Sequence, residues 1–355
     1  MALSKIPSAG FQDNVKFRNI IINGDMSIAQ RSTSTASITT SGYHTVDRFY
    51  TLASIGTWTQ SQSTDVPSGQ GFSSSFKMDC TTANASPSAG ELLIIQQRIE
   101  GQNLQYLKKG TSSAESLTCS FWVKSNKTGT YITQLYDTDN TRQICKSYTI
   151  DSANTWEKKT ITFAGDTSGT LNNDNAESLR LNFWLGAGSN FTSGTLQTSW
   201  GSAVDADTAV GQVNLADSTS NEWYITGVQL EAGQTASEFE FLPTDVNEQR
   251  CERYYENSFP LGNYPSSYTG NNAYHTTAFP DGNAPGTYFR THKRAAATIT
   301  LRPQNSTTTG QVGSAGTDRS ASAINTNSKQ VSYISITSGT GNGYVRYNYE
   351  ADAEL

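Results

Sequence analysis

Charged side chains and long apolar runs are both scarce in this sequence. Asp, Glu, Lys and Arg make up 16% of its 355 residues, and hydrophobic residues make up 35%. A membrane-spanning helix needs about 20 consecutive apolar residues, and a signal peptide needs an apolar segment near the N-terminus. Neither pattern occurs, so we expect a soluble protein with no membrane insertion.

Clusters of basic residues are also missing. The chain has 25 Lys and Arg against 31 Asp and Glu, which gives a formal net charge of −6. A surface that binds nucleic acid needs grouped Lys and Arg to neutralise phosphates. The sequence therefore predicts that nucleic acid is not a partner.

The sequence lacks the short motifs of several enzyme classes. The three histidines, His44, His275 and His292, are too far apart in sequence to form a zinc-protease motif. The glycines at 339–343 are not followed by the Lys and Ser or Thr of a phosphate-binding loop, and no Gly-x-Ser-x-Gly segment occurs. Paired carboxylates for glycoside cleavage meet only in the fold and remain open. We expect a protein that is not an enzyme.

The cysteines show no spacing typical of a metal or redox site. There are four of them: Cys80, Cys119, Cys145 and Cys251. Without a secretion signal, buried free thiols are favoured over disulfides or a zinc site.

Short apolar and aromatic runs separated by Gly, Asn, Asp and Ser indicate an all-β chain, and its length predicts about two domains. The predicted strands of the first domain are 76–80, 92–99, 117–124, 131–137, 143–150, 157–163, 179–185, 210–215 and 223–230. A further strand is predicted from Phe17 up to the Asn-Gly turn at 23–24. Three more are predicted at 297–301, 330–337 and 344–349, with a long polar segment at 303–328.

The stretch 222–256 separates the two domains. Its apolar run around Trp223 predicts a closing strand in which Gly227 forms a bulge. After Pro243, Asp245 and Glu248 are spaced like a capping box, which predicts one short helix.

Several short segments, in this order, are similar to tail fibre and related virion-surface proteins of marine bacteriophages. They are Asn-Gly-Asp-Met (23–26), Val-Asp-Arg-Phe (46–49), Ser-Phe-Trp-Val-Lys-Ser (120–125), Asn-Phe-Trp-Leu-Gly-Ala-Gly (182–188), Ile-Thr-Gly-Val-Gln-Leu-Glu-Ala-Gly (225–233) and Cys-Glu-Arg-Tyr-Tyr-Glu (251–256). The resemblance implies a carbohydrate-binding-module-like jelly-roll β-sandwich followed by a small C-terminal β domain.

We therefore expect four regions. Residues 1–17 form an N-terminal docking arm, 18–244 the jelly-roll sandwich, 245–256 a short helical joint and 257–355 the C-terminal β domain. Fibre proteins that resemble this chain are homotrimers, so we expect trimer contacts from Val246, Tyr254 and Tyr255 at the joint.

The expected function is that of a structural virion protein, a tail fibre or receptor-binding protein that attaches to a glycan on the host cell surface. It would be produced in the host cytoplasm and carried on the virion surface, where the arm binds a tail or capsid protein. One alternative is a capsid or tail decoration or adaptor protein without host contact. A second is a polysaccharide depolymerase.

Aromatic residues among polar loops are the predicted glycan contacts, because sugar rings stack on aromatic faces and bind polar rims. In the C-terminal domain these are Tyr264, Tyr268, Tyr274, His275 and Tyr288; in the sandwich they are Trp58 and Trp200. Simple packing is the alternative for each. Trp122, Trp184 and Trp223 lie in apolar strands and are predicted core residues.

No cofactor is expected, apart from a possible structural calcium ion. Jelly-roll modules that bind sugars often hold calcium near their first and last strands, and the resemblance implies Asn23, Asp25 and Glu231 as its ligands. The alternative is that these side chains form hydrogen bonds at strand ends. A run of acids between Asp205 and Asp245 has no Lys or Arg within it, which is typical of a solvated face but also of a calcium site or a surface for a basic partner.

Overall fold

The computed structural model describes residues 17–260, 262–265, 267–268, 273–277, 283–304, 306–314, 317–336 and 344–355. They divide into two compact units. The sandwich unit comprises residues 17–27, 34–43 and 49–242, and the C-terminal unit comprises 28–33, 44–48 and the described residues from 243 onward. The predicted docking arm lies outside the described residues except for Phe17.

The chain is all-β, as predicted, and the sandwich unit consists of two six-stranded antiparallel sheets. In spatial order the first sheet contains β1 (Ser34–Ile38), β3 (Thr57–Ser63), β4 (Ser75–Thr82), β12 (Glu222–Ala232), β6 (Leu117–Ser125) and β9 (Glu157–Phe163). The second contains β11 (Gly201–Ser202), β8 (Arg142–Ile150), β7 (Gly129–Asp137), β10 (Glu177–Ala187), β5 (Leu92–Glu100) and β2 (Tyr50–Ala53). The predicted jelly-roll sandwich is confirmed.

Aromatic side chains from both sheets form the core between them. Phe121 on β6 lies 5.1 Å, between ring centroids, from Tyr148 on β8 and 5.1 Å from Phe183 on β10. Phe183 in turn contacts Trp223 on β12, which is completely buried. Each such side chain contributes about 1.5–3 kcal/mol through burial, so the aromatic alternation of these strands holds the two sheets together.

Gly227 forms the predicted bulge in β12. Its φ of +62° lies in the left-handed region, and the register with β6 shifts between Thr226 and Gln229. A Cβ atom here would come within 2.6 Å of the Phe72 ring. Glycine is therefore needed both for the backbone conformation and for the space.

The predicted strand from Phe17 to the Asn-Gly turn is wrong, because side-chain hydrogen bonds replace the strand ladder there. The Asn19 amide accepts from the Leu230 backbone N–H at 3.0 Å and donates to the Val228 carbonyl at 3.1 Å. The segment is therefore irregular although it is bound to β12. The predicted strand at 210–215 is also wrong, since this segment turns and ends in a 3-10 helix at Leu215–Asp217.

Short helices complete the sandwich unit. Helix α1 spans Ser189–Thr192, and 3-10 helices lie at Gly101–Asn103, Gln105–Leu107 and Asp205–Asp207. The 3-10 helix at Gln105–Leu107 ends at Lys108, which is in the left-handed conformation. No helix among the described residues is long and apolar enough to cross a membrane.

In the C-terminal unit, the part of the chain from 243 onward starts with helix α2 (Thr244–Glu252). It starts one residue before Asp245, and no side chain caps its N-terminus, so the predicted capping box is wrong. The remaining strands are β13 (Tyr255–Asn257), β14 (Tyr274–Thr277), β15 (Asn283–Tyr288), β16 (Thr298–Pro303), β17 (Gln311–Ser314), β18 (Thr317–Thr326), β19 (Gln330–Ile336) and β20 (Tyr344–Asp352). Strands β13, β14, β16 and β17 all pair with β20.

The segment 303–328, predicted as a long polar segment between strands, contains all of β17 and β18. Its side chains are mainly polar, so hydrophobic periodicity does not reveal the strands. β18 is instead held by pairing with β19, whose Val331 and Ile334 are buried.

Candidate functional site

The outer face of the second sheet carries a block of polar side chains in register. Phe183 on β10 faces the core between the sheets, so by alternation Arg180, Asn182 and Trp184 point outward. Cross-strand pairing extends each of them into a row. The rows are Arg98–Arg180–Tyr136, Gln96–Asn182–Gln134 and Ile94–Trp184–Ile132, each written in the order β5–β10–β7. We call the first two rows, together with Tyr50 and Gln143 beside them, the polar strip.

The third row is covered by the chain. Ile94, Ile132 and Trp184 form a small apolar cluster with Ala209, against which Phe191 packs. The Trp184 and Phe191 ring centroids are 5.4 Å apart. The sandwich unit thus covers the apolar row of this face with α1 and the following loop.

Amide side chains in the second row form a hydrogen-bonded chain. Asn182 Nδ2 donates to Gln134 Oε1 at 2.7 Å, and Gln134 Nε2 donates to Gln143 Oε1 at 2.7 Å. Asn182 Oδ1 and Gln96 Nε2 are buried, and neither has a hydrogen-bond partner in the described part of the chain. A buried polar atom left without a partner costs about 1–3 kcal/mol, so these two atoms are sites at which a ligand hydroxyl or a water gains a hydrogen bond.

The first row contains two guanidinium groups, those of Arg98 and Arg180, and both lie beside the Glu177 carboxylate. Arg180 Nε donates to Glu177 Oε1 at 2.6 Å, and Arg98 Nε lies 3.8 Å from Glu177 Oε2. Arg98 stands 4.0 Å above the Tyr50 ring and Arg180 lies 5.6 Å from the Tyr136 ring centroid. These planar groups are fixed on a sheet and still partly exposed, which suits them to bind a polar ligand.

Cys145 on β8 lies in the apolar cluster beside the strip and is not a nucleophile. Burial raises the pKa of its thiol to about 12, and the nearby Asp207 adds to the shift. The thiol is protonated at neutral pH and does not attack a substrate. All four cysteines are buried, as predicted, and none forms a disulfide.

The structure contradicts one predicted tryptophan platform. Trp58 is completely buried and its indole N–H donates to the Ile55 carbonyl at 2.6 Å. An indole with no exposed face cannot stack on a sugar. Trp200 is half-buried, and its N–H donates to the Ala164 carbonyl at 2.6 Å.

A buried ion cluster lies against Trp200. The Lys109 ammonium is 4.6 Å from the Trp200 ring centroid and 2.8 Å from Asp166, and it also contacts Asp137. Burial alone would raise the pKa of Asp166, but hydrogen bonds from Arg142 and Lys109 hold it at about 2. Lysine therefore occupies one face of the indole, and stacking of a sugar at Trp200 stays a prediction for the other face.

Aromatic rings on the outer face of the first sheet are also engaged. Trp122, predicted to be in the core, is half-buried because it faces outward on β6. The Trp156 and Tyr224 ring centroids are 6.1 Å apart, and Tyr224 has the Lys124 and Lys77 ammonium groups at 4.3 and 5.2 Å. Trp223 is buried between the sheets, as predicted, whereas Trp184 is buried on the outer face of its sheet, in the apolar cluster with Ile94, Ile132 and Ala209.

The predicted tyrosine contacts lie on separate elements of the C-terminal unit. Tyr288 on β15 is 76% exposed. Tyr274 on β14 is 42% exposed and stacks on Tyr347 at 5.9 Å. Tyr268 packs edge-on against Phe259 at 5.6 Å. Two further predicted contacts add little: Tyr264 is half-buried, and His275 lies on β14 with a side chain outside the described residues. Their glycan contacts stay predictions.

The predicted trimer contacts at Tyr254 and Tyr255 are wrong, because both side chains are buried within their own unit. Arg48 lies 3.4 Å above the Tyr254 ring, and Arg31 lies 3.7 Å above the Tyr255 ring. Val246 is half-buried on α2. The trimer itself stays a prediction.

Glu231, the predicted calcium ligand, is engaged in hydrogen bonds. Its carboxylate accepts from Ser237 and Gln229, and Arg18 lies 3.5 Å away. Asn23 is buried with a left-handed φ of +61°. Within the described ranges no group of three or more His, Cys, Asp or Glu is placed to hold a metal, and calcium binding at Asn23, Asp25 and Glu231 stays a prediction.

No protein-family model matches the sequence, and no curated protein matches it either. Among solved structures, the enzymatically active domain of bacteriophage CBA120 tailspike protein 4 is 15% identical with a TM-score of 0.30, covering 61% of this chain and 21% of that domain. A CBM4 structure is 10% identical with a TM-score of 0.31, covering 59% and 97%. A putative sugar binding protein from Bacteroides thetaiotaomicron is 12% identical with a TM-score of 0.33, covering 60% and 99%. Similarities of this size do not establish a function.

Sequence reasoning missed the polar strip. Its residues stand at alternate positions of strands that were predicted as core, such as Arg180 and Asn182 on β10. The available signal was a polar side chain at every second position of an otherwise apolar strand, since such a position faces away from the core.

Proposed function

We propose that this chain is a structural protein of a bacteriophage virion, a tail fibre or receptor-binding protein that attaches to a glycan on the host cell surface through the polar strip. The short segments that occur in the same order as in marine phage tail fibre proteins, and resemble them, support the virion role. The polar strip supports glycan binding.

The observation that carries the proposal is the arrangement of planar hydrogen-bonding groups on a rigid sheet. Arg98, Arg180, Gln96, Asn182 and Gln134 lie side by side on three neighbouring strands, so their positions are set by the sheet register. Carbohydrate sites combine such fixed donors and acceptors with apolar surface. A site built on strands is better preorganised than one built on loops.

The carboxylates beside the row of Arg98 and Arg180 favour binding over cleavage, because neither is free to act on a glycosidic bond. Glycoside hydrolysis uses two carboxyl groups, one on each side of the scissile bond. Glu177 and Glu100 are cross-strand partners, but Glu177 is held by Arg180 and Arg98, and Glu100 is completely buried. We therefore propose a non-enzymatic protein, and release of reducing sugar from a bound polysaccharide would contradict this.

The test is binding of the full-length protein to an array of bacterial and algal glycans, with Arg180→Ala compared with Lys158→Ala. Lys158 lies exposed on the outer face of the first sheet, so its variant serves as the matched control. Arg180→Ala should weaken binding at least tenfold while Lys158→Ala binds normally. Equal binding by both variants would place the glycan elsewhere, first at Tyr274 and Tyr288. Binding to no arrayed glycan would favour a decoration or adaptor protein.

A further inference from the structure

We propose that Gln96 and Asn182 select the sugar, and that together they bind two adjacent free hydroxyl groups of one sugar residue. This inference rests on the proposed function, because it concerns the same strip. The residues are 1% and 4% exposed, and each has one side-chain atom without a partner in the described chain.

Which atom of the Asn182 amide is the oxygen follows from a neighbouring group that can only donate a hydrogen bond. The Trp184 indole N–H lies 3.1 Å from Gln134 Oε1, which fixes that atom as an acceptor. The Asn182 atom 2.7 Å from the same oxygen must then be the nitrogen. The oxygen of Asn182 is therefore the atom left without a partner, and it is an acceptor.

The oxygen and nitrogen of the Gln96 amide are assigned in the same way. Arg98 Nε, which has no acceptor capacity, lies 2.9 Å from a side-chain atom of Gln96. That atom must be the oxygen. The nitrogen of Gln96 is therefore the atom left without a partner, and it is a donor.

The two atoms belong to residues that face each other across β5 and β10. Gln96 and Asn182 are Cα partners in the antiparallel pair, and such partners lie about 4.5–5.5 Å apart with their side chains on one face. One hydroxyl accepts from Gln96 and its neighbour on the sugar ring donates to Asn182. Both protein atoms are buried, so ligand binding requires the side chains that cover them to move aside.

This arrangement specifies a chemical class of glycan. A 1,4-linked hexose or pentose residue keeps free hydroxyls on carbons 2 and 3, which are adjacent. A 1,3-linked residue within a chain keeps no adjacent pair, since carbon 3 carries the linkage. A sulfate or acetyl group on the hydroxyl that faces Asn182 would remove the donor that Asn182 needs.

The experiment is affinity electrophoresis of the full-length protein in gels containing xylan, 1,4-linked mannan, 1,4-linked galactan, amylose or 1,3-linked glucan, each before and after periodate oxidation. Periodate cleaves the carbon bond between adjacent hydroxyls and leaves 1,3-linked residues intact. We expect retardation by at least one 1,4-linked polysaccharide, its loss after periodate, and no retardation by 1,3-linked glucan.

Two variants test the residues themselves. Gln96→Glu keeps the shape and the acceptor for Arg98 but removes the donor, and Gln96→Met removes the amide altogether. Each should weaken binding about three- to tenfold, the effect of one lost hydrogen bond. Lys158→Gln on the opposite sheet should bind like the unchanged protein.

The outcomes separate the inference from the proposed function. Retardation that survives periodate, or that is equal in 1,3-linked glucan, overturns the diol subsite but leaves glycan binding standing. Unchanged affinity of both Gln96 variants also overturns it. Retardation by no polysaccharide in the panel overturns the inference, whereas the proposed function falls only if the wider glycan array is negative as well.

Discussion

Replacing Glu354 by Gln should be one of the most destabilising single changes in the C-terminal unit. The Glu354 carboxylate is 5% exposed and contacts Arg48, whose side chain is 1% exposed. It also lies 3.4 Å from Arg31, which is 11% exposed. Burial alone would lower the pKa of Arg31, but the carboxylates of Glu354 and Asp352 outweigh it and hold that pKa above its ordinary value. Arg31 therefore stays charged although it is buried.

The expected cost follows from the charge that the substitution leaves behind. Removing one partner of a buried ion pair costs about 3–5 kcal/mol, because the other charge remains buried without compensation. With a urea slope of about 2 kcal/mol/M for a unit of this size, the unfolding midpoint should fall by roughly 1.5–2.5 M. Urea unfolding monitored by intrinsic fluorescence measures this shift.

Asp352→Asn is the matched control, because it removes a carboxylate from the same cluster. Asp352 pairs with Arg31 at 3.0 Å but is 44% exposed. Ion pairs exposed to this degree are worth about 0–1 kcal/mol, so the midpoint should move by less than about 0.5 M. A loss for Glu354→Gln no larger than that for Asp352→Asn would refute the reasoning that burial sets the value of this pair.

Three further predictions concern pH, the bulge and the tyrosines. Burial raises the pKa of Asp47 to about 6, so the folded state binds the Asp47 proton more tightly than the unfolded state does. This residue should therefore lower the free energy of unfolding as pH rises from about 4 to 6. The urea midpoint of Asp47→Asn should rise relative to that of the unchanged protein across this pH range. Gly227→Ala should cost about 2–4 kcal/mol, since its Cβ would meet a ring at 2.6 Å, whereas Gly69→Ala, with positive φ but open space, should cost about 1 kcal/mol by calorimetry. If the tyrosines bind receptor, Tyr288→Ala should lower cell adsorption without changing the melting temperature, whereas Tyr274→Ala should lower both; normal adsorption by both variants would contradict this role.

The strands of the sandwich were predictable where an apolar core dictates alternation. β6 and β10 carry large side chains at every second position, and both were predicted within two residues of their bounds. The strand predicted before Asn23 failed because a side chain, Asn19, supplies the hydrogen bonds that a strand backbone would make. The hydrophobic periodicity of a sequence does not reveal where side-chain hydrogen bonds replace those of a strand backbone.

The candidate site was not predictable in the same way. The sequence favoured aromatic residues in loops, yet Trp58 is fully buried and the polar strip stands on regular strands. Which polar positions meet depends on the register between β5, β10 and β7, which are separated by tens of residues. Gln96 and Asn182 become neighbours only through that register. Nothing local to either residue indicates the pairing.

The C-terminal unit is discontinuous in sequence, which restricts how it is exchanged between proteins. Arg48 and Glu354 are 306 residues apart, and Arg31 and Asp352 are 321 apart, yet each pair closes the same unit. A segment cut at Pro243 and moved onto another protein would carry Glu354 without Arg31 or Arg48. Natural or engineered recombination that transplants this unit must therefore move residues 28–33 and 44–48 with it, so an exchange of the C-terminal unit requires three crossover segments rather than one.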